Sequence, residues 1–323
     1  VVTANKAVIF NHGDELFSVA NKNGVKLLYE SSVCAGTPII KLLNQELAAS
    51  KISKISGMLN GTSNFILSNM EEGMEFEPTL KLAQEKGYAE PDPSFDIEGT
   101  DAAHKIGILS SLAFGSSLPP KDFYIEGING IHKDDFKYAY EMGYTIKHLA
   151  IAKSMNNSID LRAHPSLVKL DSYLANLKGV RNGIEVETDL LGTLHIAGSG
   201  AGQEATASGV ISDLIYLSDS KIREVNNINE SIELIDFIDL DFQYYFYIEA
   251  SDVSGVMASI SSIFANKDVS IESISQKENL NDDLVPIIII TDPFKEKDYQ
   301  ELVDNLLELD SVNKIRSIRI EPQ

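Results

Sequence analysis

The chain has 323 residues, 43% of them hydrophobic and 23% charged, the balance of a soluble globular protein with room for two or three cores. Its 48 acidic residues against 27 basic ones give a formal net charge of -21, and it lacks the clustered Lys and Arg of a nucleic-acid surface. No apolar run approaches membrane-spanning length, and the single cysteine, Cys34, excludes an intrachain disulfide and fits a reducing cytoplasm.

The chain opens on VVTANKAVIF, without an initiator Met and with residues that read as the end of a buried strand, so it is expected to begin within a domain. Residues 1–33 then read strand (VVT), helix (NHGDELFSVANKNG, with Gly24 as C-cap) and strand (VKLLYESSV), the tail of an alternating α/β unit. TPIIKLLNQELAAS reads as helix, KISKISGMLN as strand and GTSNFILSNMEEG as helix. EPTLKLAQEKG is a short amphipathic helix ending at Gly87, and TDAAHKIGILSSLAFG a longer apolar one. From about Ile146 strands take over: IKHLAIAKSM, SIDLRAHPSLV, GIEVETDLL and GTLHIAG. The expected middle domain, 34–199, is therefore built on a mixed sheet. A polar, acidic linker at 220–243 separates it from a unit at 244–323 whose segments run strand, helix, strand, strand, helix, strand, a split βαβ order. The fold class is α/β plus α+β.

Two segments could carry chemistry. In GYAEPDPSFDIEGTDAAHK, Asp101 and Lys105 are four apart and share a helix face. An exposed pair of that kind contributes only a few tenths of a kcal/mol. The apolar run after Lys105 instead places part of this helix in the core, where a Lys–carboxylate pair is costly. Glu90, Asp92, Asp96 and Glu98 precede it in a Pro-punctuated loop, and carboxylates beside a lysine suit an ammonium-bearing substrate and a proton transfer. In NGTSN, residues 60–64, free backbone N–H groups at a strand-to-helix junction suit an anion, while Thr62 or Ser63 as an ordinary N-cap is the plainer reading.

A third segment, GSGAGQEATASG (198–209), matches G-x-G-x-x-A through Gly200, Gly202 and Ala205, yet no compelling buried parallel strand follows it. A dinucleotide loop and a simple strand-to-helix turn both fit. The six histidines, His12, His104, His132, His148, His164 and His195, show no zinc-ligand spacing.

TANK, NGTSNFIL, GYAEPDPSFDIEGTDAAHK and GSGAGQEATAS, in this order and spacing, resemble homoserine dehydrogenase, and the C-terminal unit resembles the ACT domain of its monofunctional form. The resemblance implies a remnant of a Rossmann nucleotide-binding domain at 1–33, a catalytic and dimerisation domain at 34–199, a return segment at 200–219 that touches the cofactor, and an ACT domain at 244–323. The main cofactor loop would precede Val1. The implied reaction is the NAD(P)-dependent interconversion of L-aspartate 4-semialdehyde and L-homoserine, in the synthesis of threonine, methionine and isoleucine. Lys105 would be proton donor and acceptor. Glu90, Asp96, Asp101, Thr62 and Tyr88 would bind the amino acid, and Lys6, Gly87 and Gly202 the nicotinamide end of NADP or NAD. A monovalent cation such as sodium would be held at Glu30, Val33, Ala35 and Thr37. The resemblance also implies a homodimer or homotetramer and a threonine effector near Gly255. Two residues depart from the pattern: Ala205 and Ser254 stand where such proteins often carry Pro. The alternative function is a non-catalytic regulatory protein that binds amino acids through its ACT unit.

Overall fold

The computed structural model describes residues 1–119, 123–218, 232–277 and 283–322. Helix α1 (Lys6–Lys22) is followed by β1 (Ile52–Met58), α2 (Gly61–Glu71), α3 (Phe76–Glu85), α4 (Ser94–Ile97) and α5 (Thr100–Phe114). Then come β2 (Tyr124–Ile125), α6 (Lys133–Glu141), β3 (Tyr144–Met155), β4 (Ser158–Lys169), β5 (Arg181–Thr188), β6 (Gly192–Ser199) and α7 (Gln203–Ser218). The last part contains β7 (Glu233–Leu234), β8 (Asp241–Ser251), α8 (Val256–Asn266), β9 (Ile271–Gln276), β10 (Leu284–Thr291), β11 (Phe294–Lys295), α9 (Glu296–Leu307) and β12 (Val312–Ile320).

One continuous sheet runs in the order β6-β5-β1-β3-β4-β12-β8-β10-β9. The two units expected on either side of a linker are thus joined edge to edge. The joint is the free edge of β4, which three short pairings share: Ser158 and Ile159 with β7, Arg162 and Ala163 with β2, and Ser166 and Leu167 with Arg319 and Ile320 of β12. All three pairings are parallel. The first half of the expected linker lies outside the described residues, but its last part is structured, since β7 and the start of β8 fall within it.

The strand, helix, strand, strand, helix, strand order at the C-terminal end is observed, as β8, α8, β9, β10, α9 and β12. Side chains alternate across a strand, so β8 and β10 can serve two cores at once. Phe246, Ile248, Ile287 and Ile289 pack under α8 and α9 with Ile260, Phe264, Leu302 and Leu306. Tyr245, Tyr247, Ile288 and Ile290 face the other way, onto Ile66, Met70, Ala83, Phe136 and Ala139 of α2, α3 and α6. This explains the unbroken apolar run VPIIII, the mark of a strand buried on both faces. The middle domain thus covers the sheet face opposite α8 and α9. Helix α6, whose sequence KDDFKYAYE shows no clear apolar stripe, is part of that cover. Its N-terminus is fixed by a capping box of His132 and Asp135.

At the N-terminal end the expected strand in VKLLYESSV reduces to one parallel bridge, Val2 with Leu28, followed by a 3-10 turn at Glu30–Ser32. Helix α1 starts at Lys6 rather than Asn11, because the Asn5 side chain caps it by accepting from Val8 N. Asn23 is its C-cap, with Gly24 (φ +62°) just beyond. The strand β6 pairs antiparallel with β5, its sole partner among the described residues. GSGAGQEATASG therefore begins in an antiparallel edge strand, and among the described residues it belongs to no parallel βαβ unit of the kind a dinucleotide loop needs.

Candidate active site

Helix α5 places the chemistry. It starts at Gly99, whose φ of +87° is left-handed, and a Cβ there would lie 3.0 Å from His148 Nε2 and 3.1 Å from the Glu126 carbonyl. Only glycine fits that corner without strain. Asp101 falls in the first turn and Lys105 one turn later, both buried, at 4% and 7% exposure. The view of the pair as an exposed one is thereby excluded.

Lys105 Nζ donates to Asp101 Oδ2 at 2.7 Å and to the Leu59 carbonyl, at the end of β1, at 2.6 Å. Two of its three N–H groups are used in this way. Asp101 Oδ1 pairs with Lys6 Nζ at 2.9 Å, so α1 and α5 meet at one carboxylate. Burial opposes the charge on Asp101, but Lys105 and Lys6 outweigh it and hold the carboxyl at about 2. Burial likewise opposes the Lys105 ammonium, and Asp101 outweighs it, so its pKa lies above the ordinary lysine value. At neutral pH Lys105 is a charged donor held at a fixed position.

Asn60 organises the carboxylates. Its Nδ2 donates to Asp96 Oδ1 at 2.7 Å and to Asp101 Oδ2 at 2.8 Å, while its Oδ1 accepts from Ser63 N and caps α2. The N-cap is thus Asn60, neither Thr62 nor Ser63. Those two side chains face the Pro-rich loop instead: Thr62 Oγ1 donates to the Tyr88 carbonyl at 2.7 Å and Ser63 Oγ to that of Asp96 at 3.0 Å. Burial raises the Asp96 pKa, with Asn60 acting against the shift. Tyr88 is exposed and meets Phe65 edge-on. Glu90 is exposed, with no polar partner for its carboxylate among the described residues, while Gln84 Nε2 holds its carbonyl and that of Pro91. The structure therefore brings Lys6, Asn60, Asp96, Asp101 and Lys105 into one network, with Thr62 and Tyr88 beside it. Glu90 stands outside that network on the adjoining loop.

The segment after β6 folds back onto the 30–36 loop. Ser31 Oγ donates to the Thr206 carbonyl at 2.8 Å, the Glu30 amide donates to Asp213 Oδ2 at 3.0 Å, and a Cβ on Gly36 would lie 2.5 Å from the Ala205 carbonyl. Helix α7 is in this way tied to the 30–36 loop.

The sequence model described as homoserine dehydrogenase matches residues 38–215. Among curated relatives, the homoserine dehydrogenase of Pseudomonas aeruginosa is 41% identical over 334 residues, 99% of this chain and 77% of the relative. That of Helicobacter pylori is 41% identical over 324 residues, 99% of this chain and 76% of the relative. The chain belongs to the homoserine dehydrogenase family. A crystal structure of a homoserine dehydrogenase from Thiobacillus denitrificans superposes with a TM-score of 0.91 at 39% identity, covering 99% of this chain and 76% of that one. A hyperthermophilic archaeal homoserine dehydrogenase in complex with NADPH aligns with a TM-score of 0.60 at 32% identity, over 69% of this chain and 65% of that one.

As a homoserine dehydrogenase the chain is an oxidoreductase of amino-acid biosynthesis, and two of the positions expected at its nicotinamide cofactor leave room for a ligand. At Gly87 and Gly202 nothing lies within 4 Å of where a Cβ would stand, as is also the case at seven other glycines, so the backbone there is open without being marked out as a site. The cation set is more closed. Both Glu30 oxygens accept backbone N–H groups, from Ile40 and Lys41 at 2.9 Å, and burial raises the Glu30 pKa. Thr37 Oγ1 is buried without a hydrogen-bond partner among the described residues, and Cys34 and Ala35 adopt left-handed conformations (φ +53° and +50°). A buried carboxylate and an orphan hydroxyl suit a small cation of low charge.

Proposed function

We propose that the chain interconverts L-aspartate 4-semialdehyde and L-homoserine, with Lys105 passing the proton at the substrate oxygen. NADPH or NADH, when bound, supplies the hydride that reduces the aldehyde carbon. Lys105 gives its proton to the oxygen that becomes the hydroxyl, and takes it back in the reverse direction. Asp101 keeps the ammonium charged and, with Asp96 and Glu90, offers carboxylate to the amino group of the substrate. Thr62 and Tyr88 hold the loop beside it, and Lys6, Gly87 and Gly202 line the nicotinamide end. The observation that carries this reading is the buried Lys105 ammonium, fixed through two N–H groups and free to use the third. Lys105→Ala should lower kcat by about 100-fold or more, the usual share of a general acid–base group, with little change in the Kd of NADPH. Near-normal turnover would reject the assignment.

The cation at Glu30, Val33, Ala35 and Thr37 belongs to the same proposal: it would brace the 30–37 loop against α7 rather than touch substrate. Residues 1–33 and α7 serve as parts of a Rossmann-type nucleotide-binding domain. The C-terminal unit acts as an ACT domain that takes an amino acid such as threonine near Gly255, where α8 begins without a side-chain cap. Threonine titration by calorimetry tests this, and no heat in an active enzyme would reject it. Light scattering tests assembly as a homodimer or homotetramer.

A further inference from the structure

We propose that Asn182 is a positioning residue for Lys105, acting through the carbonyl of Leu59. The inference rests on the proton-transfer reading of Lys105. Asn182 lies near the start of β5, is 1% exposed, and stands in none of the segments whose residues suggest chemistry. Its Nδ2 donates to the Leu59 carbonyl at 2.8 Å, the same oxygen that Lys105 Nζ reaches at 2.6 Å. The amide orientation follows from this neighbour, because its oxygen turned toward Leu59 would set acceptor against acceptor.

Two further contacts show that the amide is built in. Nδ2 is 3.2 Å from Cys34 Sγ, on the loop that carries Glu30. Gly200 lies against the amide, where a Cβ would come within 2.1 Å of Cγ and Oδ1. Asn182 Oδ1 is buried and finds no partner among the described residues. A buried amide that leaves one atom unsatisfied is costly, so its remaining bonds must be worth keeping.

Their effect on Lys105 follows from the geometry of a carbonyl oxygen, which has two lone pairs. Asn182 occupies one and fixes the direction of the Leu59 peptide, and Lys105 occupies the other. With Asp101 on a second N–H, the third N–H of Lys105 is left a single direction. A second donor also makes the Leu59 oxygen a weaker acceptor for the ammonium, which eases loss of the proton. Without Asn182 the ammonium is less well aimed and holds its proton more strongly.

Asn182→Ala removes the donor without adding a charge, and Asn182→Ser shortens the side chain. Both are compared with Lys105→Ala in the intact enzyme by kcat, KM, pH–kcat profile and thermal melting followed by circular dichroism. The expected result is a folded Ala or Ser variant with kcat lowered about tenfold, a part of the general acid–base contribution, an unchanged KM for the amino acid, and a profile whose alkaline inflection moves to higher pH. An unmoved profile, or a kcat that falls only with the folded fraction, would make Asn182 plain scaffold, as would failure of both variants to fold. Turnover retained in Lys105→Ala would sink the parent reading instead. An inactive Lys105→Ala beside unaltered Asn182 variants would sink this one alone.

Discussion

Lys6 and Lys105, from two helices far apart in sequence, bind opposite oxygens of the one carboxylate of Asp101, at 2.9 and 2.7 Å. Removing that carboxylate leaves two cations facing each other, one of them buried. A carboxyl held at about 2 stabilises the fold fully above its ordinary range, and the contribution disappears as pH falls through about 2. Asp101→Asn should therefore cost about 2 kcal/mol at neutral pH, and the gap to the parent protein should narrow on acidification. Urea unfolding at neutral pH and near pH 3 measures it, and a gap independent of pH would show that the ion pair contributes nothing.

The raised pKa of Lys105 gives the two reaction directions different pH profiles. Reduction needs the ammonium, which is present across the neutral range. Oxidation of homoserine needs the neutral amine, so its kcat should climb with pH through the alkaline range while that of reduction does not. Asp101→Asn should move both profiles to lower pH by about one unit or more, the usual effect of losing an opposite charge. Initial rates in both directions across pH 6–11 (roughly the range between ordinary His and Lys values) would settle the sign.

Glu90 is exposed and unpaired with any described residue, so little structure depends on it. Glu90→Gln should raise KM for the amino acid roughly tenfold, as loss of a charge partner does, and leave the melting temperature unchanged. An unaltered KM would remove Glu90 from the substrate site.

Arg319 sits where β12 meets β4. Its guanidinium reaches Glu296 at 2.6 and 3.1 Å and Glu126 at 2.7 Å, and lies over the rings of Tyr124 and Phe237. Arg319→Met leaves the buried Glu296 carboxylate uncompensated and should destabilise the protein by about 3 kcal/mol. Chemical denaturation followed by far-ultraviolet circular dichroism measures this, and a loss below about 1 kcal/mol would mean that the pair behaves as an exposed one.

Local pattern made much of this molecule readable. TDAAHKIGILSSLAFG is a helix because its apolar residues recur through Phe114, and Asp101 and Lys105 share a face by spacing alone. The strand and helix order of the C-terminal unit follows from period-two and period-3.6 stretches. What escaped depends on partners distant in sequence. Nothing near Arg319 announces that its strand will pair with Ser166, and Asn182 reaches Leu59 from another strand. Helix α6 was missed because KDDFKYAYE carries too few apolar residues to show a clear stripe. Asn60 did have a local signal, an Asn three residues before the amide it caps, but the Thr and Ser beside it offered the same chemistry. Asp101 and Lys105 could be named from spacing, whereas their burial, which sets their charge states, required the fold.

The shared edge of β4 also governs how the chain comes into being. Residues 158–169 leave the ribosome well before 312–320, and β12 is the partner that closes the edge beside Ser166 and Leu167. At about 5–20 residues per second, the roughly 150 residues between them take on the order of ten seconds to synthesise. Throughout that interval the middle of the sheet presents unpaired backbone, and for its first part Tyr245 and Ile288 do not yet exist to cover α2 and α6. An open strand edge beside bare apolar surface is a place for wrong partners. Newborn chains of this protein should therefore depend on holding factors during translation, at a stage when residues 60–105 have already been synthesised.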